Sequence, residues 1–310
     1  MYSLQVISVN ISQAKGTAKT PVSYIDLTQY GVKEDAHAGR WNRQVSLLGT
    51  ESIQKFEKTS GRKVLPGEFA ENITTTGIEL WKTHPLDRFT SGDIELEVTQ
   101  IGKECHGSSC AIFKEVGDCV MPREGIFCRV LSPGQLKAGM ELTFHPKMYR
   151  ILVITLSDRA ASGEYEDRSG PRIRELTKEF FDTRGLHHFI HDSLIPDDPQ
   201  KLESLLHKAK EELIDMVITT GGTGIGPRDF TPDVVKPLLD KEIPGIMEMI
   251  RIKYGAGKPN ALVSRSVAGV MGKSLVFTLP GSVKAVNEYL AEIFSSFLHL
   301  VYMMHGLDTH

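Results

Sequence analysis

A chain of 310 residues, 40% hydrophobic and 24% charged, has room for about two domains, each with its own core. A formal net charge of -3 removes the electrostatic case for nucleic acid as the main partner. No apolar run approaches the roughly 18 residues of a membrane span, Met1 to Val6 shows no secretory pattern, and four cysteines make no disulfide framework, so a reducing cytoplasm is expected.

Residues 1 to about 145 read as mostly strand. Leu4 to Ile11 is rich in β-formers. Asp93 to Gln100 alternates, with Ile94, Leu96 and Val98 on one face and Glu95, Glu97 and Thr99 on the other. Phe127 to Leu131 and Met140 to Phe144 are further strands, separated by turn signals such as Ser132-Pro133-Gly134. One helix is expected from Thr50 to Ser60, closed by Gly61. The pattern predicts a strand-rich barrel with a few helical insertions. Cys105, Cys110, Cys119 and Cys128 all lie here, spaced by four, eight and eight residues rather than as the Cys-x-x-Cys pairs of structural zinc. Cys128 sits in an apolar strand and is expected in the core, whereas Cys105 has Lys103 and His106 beside it, neighbours that favour a thiolate.

Three stretches carry a resemblance. They are Asp35 to Leu48 (Asp-Ala-His-Ala-Gly-Arg-Trp-Asn-Arg-Gln-Val-Ser-Leu-Leu), Gly67 to Leu80, and Gly102-Lys-Glu-Cys-His-Gly107 through Phe127. In this order they resemble MOSC domains, over nearly the whole first half. The resemblance implies that Cys105 handles sulfur or the cofactor's metal, and that His37, Arg40 and Arg43 form an anion-binding lip; solvated loop charges are the competing reading of those three.

At His145 to Arg150 a short polar hinge places the domain boundary, giving domains 1–147 and 148–310, and the pattern becomes strand–helix alternation. Strands are expected at Arg150 to Leu156, His188 to Ile195, Met216 to Thr220 and Ser274 to Leu279. Helices are expected from Gly170-Pro171 to near Gly185, from Asp198-Pro199 onward, from Thr231, from Ile243 to Ile250, and from Val283 to Leu290. Thr231-Pro232-Asp233 reads as N-cap, N1 and N2. The expected fold is a three-layer, doubly wound α/β domain with a mostly parallel sheet.

The strand exits carry the functional signal. Ser157-Asp158, Thr220-Gly221-Gly222-Thr223-Gly224 and Pro280-Gly281-Ser282 are small, polar or glycine-rich, and a parallel sheet puts them on one edge, suited to phosphate. Gly221 to Asp229 lacks the Gly-Lys-Ser/Thr of a Walker A loop, and Gly222-x-Gly224-x-Gly226 lacks the dinucleotide spacing. His187 and His191 share one side of their strand and are expected as edge histidines rather than metal ligands.

Thr219-Thr-Gly-Gly-Thr-Gly224, Arg228-Asp229 and Thr231-Pro-Asp233 resemble the MogA-like molybdopterin adenylyltransferases of the MoCF-biosynthesis family. So do Leu156 to Arg168, Ile195-Pro-Asp197, Leu262 to Ser266 and Leu279 to Ser282. The resemblance implies transfer of AMP from ATP to the terminal phosphate of molybdopterin, with Mg²⁺ screening the phosphates. It points to Asp197 and Asp229 as the functional acids and Mg ligands. Asp198 with Pro199, and Thr231 with Pro232, account for the helix starts without them. Ser157, Asp158, Thr220 to Gly224 (Thr220, Gly221, Gly222, Thr223, Gly224), Ser264, Arg265, Gly281, Ser282 and Lys284 are the expected phosphate and molybdopterin contacts. The family also implies a trimer through the second domain, a downstream molybdenum insertase as partner, and no membrane or nucleic-acid partner. The alternative is a non-catalytic molybdopterin-binding carrier serving the MOSC half.

Overall fold

The computed structural model describes residues 2–103 and 119–307. The chain divides into two compact units, Met1–Lys147 with the C-terminal Leu307–His310, and Met148–Gly306.

The first unit holds β1 (Tyr2–Ile11), β2 (Thr20–Val22), β3 (Ile25–Thr28), β4 (Gly31–Val32), β5 (Val45–Gly49), β6 (Ile73–Thr76), β7 (Arg88–Ser91), β8 (Ile94–Ile101), β9 (Ile126–Ser132), β10 (Gly134–Leu136) and β11 (Glu141–His145). Pairing runs β11-β7-β8-β9-β5-β6-β1, and β1 pairs again with β11, so this sheet closes into a barrel of seven strands, with β2 added beside β1. Closure removes the open edges of the sheet. Inward residues such as Leu4, Val6, Leu47, Leu96, Val98 and Leu142 form one apolar core. In β1 a register shift between Val6 and Ser8 breaks the alternation, so that Val9 joins Leu4 and Val6 in the core. Ser8 and Asn10 are buried too, and the Ser8 hydroxyl donates to Asn10 Oδ1 at 2.7 Å. The helix Thr50–Ser60 ends at Gly61, whose left-handed backbone (φ 70°) lets its N–H reach the Glu57 carbonyl.

β8 departs from simple alternation. Glu97 and Thr99 are buried as well as Ile94, Leu96 and Val98, because the ladder to β9 shifts register at Glu95/Leu96 and again at Val98/Gln100. Glu97 is accommodated there by Arg129 at 2.6 Å and Arg88 at 3.1 Å, from the two flanking strands. Cys128 is fully buried, and burial pushes its thiol well above the ordinary range, so it is a core residue and not a nucleophile.

The second unit holds β12 (Tyr149–Leu156), β13 (His188–Ile195), β14 (Met216–Thr220), β15 (Lys241–Glu242), β16 (Ala268–Met271) and β17 (Ser274–Leu279), in the order β13-β12-β14-β17-β16-β15. The first four are mutually parallel; β16 and β15 add antiparallel pairs at one end. One face of the sheet presents Leu152, Ile154, Leu156, Val217 and Val276 to Leu202, Leu206 and Ala209 of the helix Pro199–Glu211. From the other, Tyr149 meets Phe181 and Phe297, which come from the helices Ser169–Asp182 and Val283–Met304. Helices therefore cover both faces of a mostly parallel sheet. The last helix runs to Met304 rather than stopping near Leu290, because Ile293, Phe297 and Val301 continue the buried stripe of Val286 and Leu290.

Candidate functional site

Parallel pairing of β13, β12, β14 and β17 brings four strand exits to one edge. Backbone bonds stitch them together: Ser157 N–H donates to the Ile195 carbonyl at 3.0 Å, and Gly221 N–H to the Leu279 carbonyl at 3.0 Å. The Thr220 hydroxyl donates to the Pro280 carbonyl at 3.0 Å.

The glycine loop follows β14. Gly221 and Gly222 both have left-handed backbones, φ 103° and 63°. A Cβ on Gly221 would lie 2.4 Å from the Leu156 carbonyl oxygen, so the exits of β12 and β14 approach as closely as they do only because no side chain intervenes. Thr231 does not cap the helix Thr231–Val235; the cap position is Phe230, and no side chain bonds there. The Thr231 hydroxyl instead donates to the Gly221 carbonyl at 2.8 Å, and Thr231 N–H to the Gly222 carbonyl at 3.0 Å, so this residue clamps the loop.

Asp229 closes a turn at the far end of the loop. Its Oδ2 accepts the Gly226 N–H at 2.8 Å, while its own N–H donates to the Gly226 carbonyl at 3.0 Å. A Cβ on Gly224 would stand 2.6 Å from that same Oδ2. Asp197 and Asp158 exchange bonds across the β12 and β13 exits: Asp197 N–H donates to Asp158 Oδ1 at 2.9 Å, and Asp158 N–H to Asp197 Oδ2 at 3.4 Å. Arg228 reaches from the loop to Asp158 Oδ2 at 2.8 Å. Among the described residues, Oδ1 of Asp197 and Oδ1 of Asp229 accept no hydrogen bond.

Several expected contacts have structural duties. Arg265 donates to the Gly224 carbonyl at 2.7 Å, to both Asp233 oxygens at 2.8 and 2.9 Å, and to the Asp229 carbonyl. It thus holds the loop from behind. Ser157 and Ser282 cap the helices that follow them, accepting from Ala160 and Ala285 N–H. The Ser264 hydroxyl lies 2.9 Å from Ser266 Oγ and accepts from Tyr289 at 3.1 Å. The Gly281 carbonyl accepts from the Ser169 hydroxyl at 3.0 Å. Thr223 is buried and its carbonyl accepts the Arg265 N–H at 2.9 Å. Lys284 stands beside Lys258, whose hydrogen bond and charge both lower its pKa. From sequence, Arg228 is expected only as part of the family signature, and Thr231 and Asp233 as the N-cap and N2 of a helix start. In the fold Arg228 reaches Asp158, Thr231 clamps the glycine loop and Asp233 pairs with Arg265, partnerships that sequence reasoning missed.

In the first unit, Cys105 lies outside the described residues. The lip of His37, Arg40 and Arg43 is a layered cluster: His37 stacks on Trp41 at 6.3 Å, and the Arg43 guanidinium sits 5.1 Å from the Trp41 ring centre. Arg40 lies over Tyr30 and donates to its hydroxyl at 3.2 Å. Beneath them a fully buried Lys19–Asp35 ion pair meets His37, with Asp35 accepting the His37 N–H at 2.9 Å. Burial would raise the Asp35 pKa, but bonds from His37 and Lys19 outweigh it and hold the carboxyl below the ordinary range. Burial pulls Lys19 below its ordinary value despite that partner. Glu71 is buried too, and desolvation raises its pKa although Gly67 N–H and the Thr74 hydroxyl donate to it at 2.6 and 2.8 Å. His191 is exposed on the edge strand β13, whereas His187 is exposed just before that strand rather than sharing its side, and no cluster of three metal-ligating side chains occurs among the described residues.

Comparison with known proteins places this geometry. A family model described as a probable molybdopterin binding domain matches residues 152–299, the unit that carries the four exits. A molybdopterin adenylyltransferase of Helicobacter pylori is 36% identical over 155 residues, covering 50% of this chain and 86% of that protein. The chain belongs to the molybdopterin adenylyltransferase family. Family proteins of that name from Pyrococcus furiosus (40% identical, 50% of this chain and 91% of the relative) and Escherichia coli K12 (35%, 46% and 71%) match the same half. The first half of this family member carries a MOSC domain, matched over residues 34–143. No helix among the described residues is long and apolar enough to cross a membrane.

Proposed function

We propose that the second unit transfers AMP from ATP to the terminal phosphate of molybdopterin, releasing pyrophosphate. The observation that carries this reading is the 40% identity over 91% of an adenylyltransferase, because the matched segment holds the four strand exits and their acids. The attacking phosphate is already ionised, so positioning and charge neutralisation supply most of the catalysis. The glycine loop, Thr220 to Gly224, grips the pterin-side phosphate; Ser157, Asp158, Ser264, Gly281, Ser282 and Lys284 line the same edge, and Arg265 positions the loop.

Mg²⁺ takes oxygen ligands and is commonly held by one or two carboxylates together with substrate phosphates. Asp197 and Asp229 each keep one carboxylate oxygen unpartnered among the described residues, which suits that role. Bound there, the ion would neutralise phosphate charge. Asp158 orients Asp197, and the Gly226 turn orients Asp229.

Incubation of the full chain with molybdopterin, ATP and Mg²⁺ should release pyrophosphate; absence of release in the wild type would favour the carrier alternative. For the first unit, sulfur or cofactor handling at Cys105 predicts a persulfide on that residue by mass spectrometry. A trimer through the second unit, hand-over to a molybdenum insertase and a cytoplasmic setting complete the reading, the first being testable by light scattering.

A further inference from the structure

A cleft of about 710 Å³ opens beside the β12 exit and is walled by Asp158, Arg159, Glu164, Lys201 and Arg228 among others. That size is within the range of small-molecule sites. Of these walls, the adenylyl-transfer reading uses only Asp158. Three cations with two acids in one cleft form a lining suited to a polyphosphate with its counter-ion: the cations meet phosphate oxygens and the acids meet the ion.

Two of the cations are poorly partnered where they stand. Lys201 lies in the first turn of the 13-residue helix Pro199–Glu211, the end where the helix dipole disfavours a positive side chain. Its nearest acid is Asp198 Oδ2 at 3.9 Å, and the other Asp198 oxygen is occupied by the Gln200 and Lys201 N–H groups. Arg228 is 73% exposed and held by one contact to Asp158, a solvent-exposed pair of small net worth. Exchanging Asp158 for a phosphate oxygen therefore costs Arg228 little.

We propose that this cleft seats the β- and γ-phosphates of the nucleotide, and hence the pyrophosphate they become, with Lys201 and Arg228 as the gripping cations. The proposal rests on the adenylyl-transfer reading. In that reaction an oxygen of the pterin's terminal phosphate forms a bond to the α-phosphorus. The bond from that phosphorus to the α–β bridging oxygen breaks, and its electron pair leaves with pyrophosphate. Charge therefore accumulates on the bridging oxygen, toward the cations of the cleft. On ligand entry Arg228 leaves Asp158 and pairs with phosphate.

Calorimetric titration of the full chain with inorganic pyrophosphate, without metal, tests this. The wild type should bind, and Lys201→Met and Arg228→Met should each weaken binding by about tenfold, the loss of one charge-assisted contact. Lys178→Met, on an exposed turn of the helix Ser169–Asp182, should bind as wild type. Asp158→Asn should bind more tightly, because it releases Arg228; a purely structural role for the pair predicts no gain. No binding by the wild type, equal binding by Lys201→Met and Arg228→Met, or equal weakening by Lys178→Met would overturn the proposal. Adenylyl transfer that persists while the titrations fail removes this site alone. Titrations that behave as stated without any transfer remove the adenylyl reading and leave a polyphosphate site.

Discussion

Gly221→Ala is the sharpest probe of the site's architecture. The alanine Cβ would lie 2.4 Å from the Leu156 carbonyl oxygen, 3.3 Å from its carbon and 3.4 Å from the Leu156 Cβ. Close to an ångström must be found between the ends of β12 and β14, two paired central strands anchored by Ser157 to Ile195 and Gly221 to Leu279 bonds. A φ of 103° adds backbone strain of about 1–3 kcal/mol for any L side chain. Overpacking between fixed elements adds roughly 1–3 kcal/mol more. The expected loss is about 3–5 kcal/mol, a large share of a domain's usual stability of roughly 5–15 kcal/mol. A single unfolding curve is unsafe for a chain of two units, so hydrogen exchange of amides in β12 and β14 is the assay, read as local opening free energies. Gly245→Ala, with open space around it and an ordinary φ, is the control and should be neutral or slightly stabilising. Exchange in β12 and β14 changed by less than about 1 kcal/mol in Gly221→Ala, or equal changes in both variants, would refute the close-approach argument.

Asp197→Asn and Asp229→Asn should each abolish pyrophosphate release while leaving molybdopterin binding; retained turnover in both would remove the acid pair from the mechanism. Arg265→Met should destabilise the loop by about 2–3 kcal/mol, discounted for its half-exposed ion pair with Asp233, and guanidinium in the assay should not restore a loop it no longer spans. Leaving molybdopterin affinity and loop exchange unchanged would show that Arg265 holds nothing. In the first unit, Asp35→Asn strands buried Lys19 and should cost about 3–5 kcal/mol, read by fluorescence of Trp41 and Trp81, both in that unit. The Asp35 pKa is depressed by folding, so its contribution is complete above the unfolded value and is lost as pH falls through the lower folded one. Glu71 is raised, so its slope is opposite: stability falls as pH rises from the unfolded value through the folded one, and Glu71→Gln should flatten that limb. An unchanged pH profile in that variant would contradict the assignment.

Apolar runs such as Ile151 to Leu156 and Met216 to Ile218 were legible because a strand buried on both faces needs an unbroken run. β16 was not, since Ala268-Gly-Val-Met is short and contains a glycine that packs against the Lys241 carbonyl and Leu239. Glu97 read as an outward residue because alternation assumes a regular ladder; two register shifts and two arginines from neighbouring strands bury it, and cross-strand register has no local trace. Arg265 read as a ligand contact for the same kind of reason. Its partners Gly224, Asp229 and Asp233 are more than thirty positions away in sequence.

The helix-start count also changes meaning in three dimensions. Asp198 does cap its helix, through Gln200 and Lys201 N–H, so Asp197 is free of that duty. Thr231 does not cap its helix, so no threonine cap relieves Asp229 of a helix-start role. Asp229 instead spends one oxygen on the Gly226 turn, with its backbone carbonyl held by Arg265. A carboxylate fixed at one oxygen and at its main chain, with the second oxygen unpartnered among the described residues, is better positioned for a ligand than a wholly free one. Ordering it costs nothing further when the ligand arrives. Asp197 is held the same way, by exchange with Asp158. The case for these two acids therefore rests on their being half-committed to the structure rather than on their being surplus to it. Gly226→Pro, which removes the N–H that Asp229 accepts, should then lower turnover with Asp229 still present. Full turnover in that variant, with the turn shown to be altered by exchange, would mean that fixing Asp229 is not what the site requires.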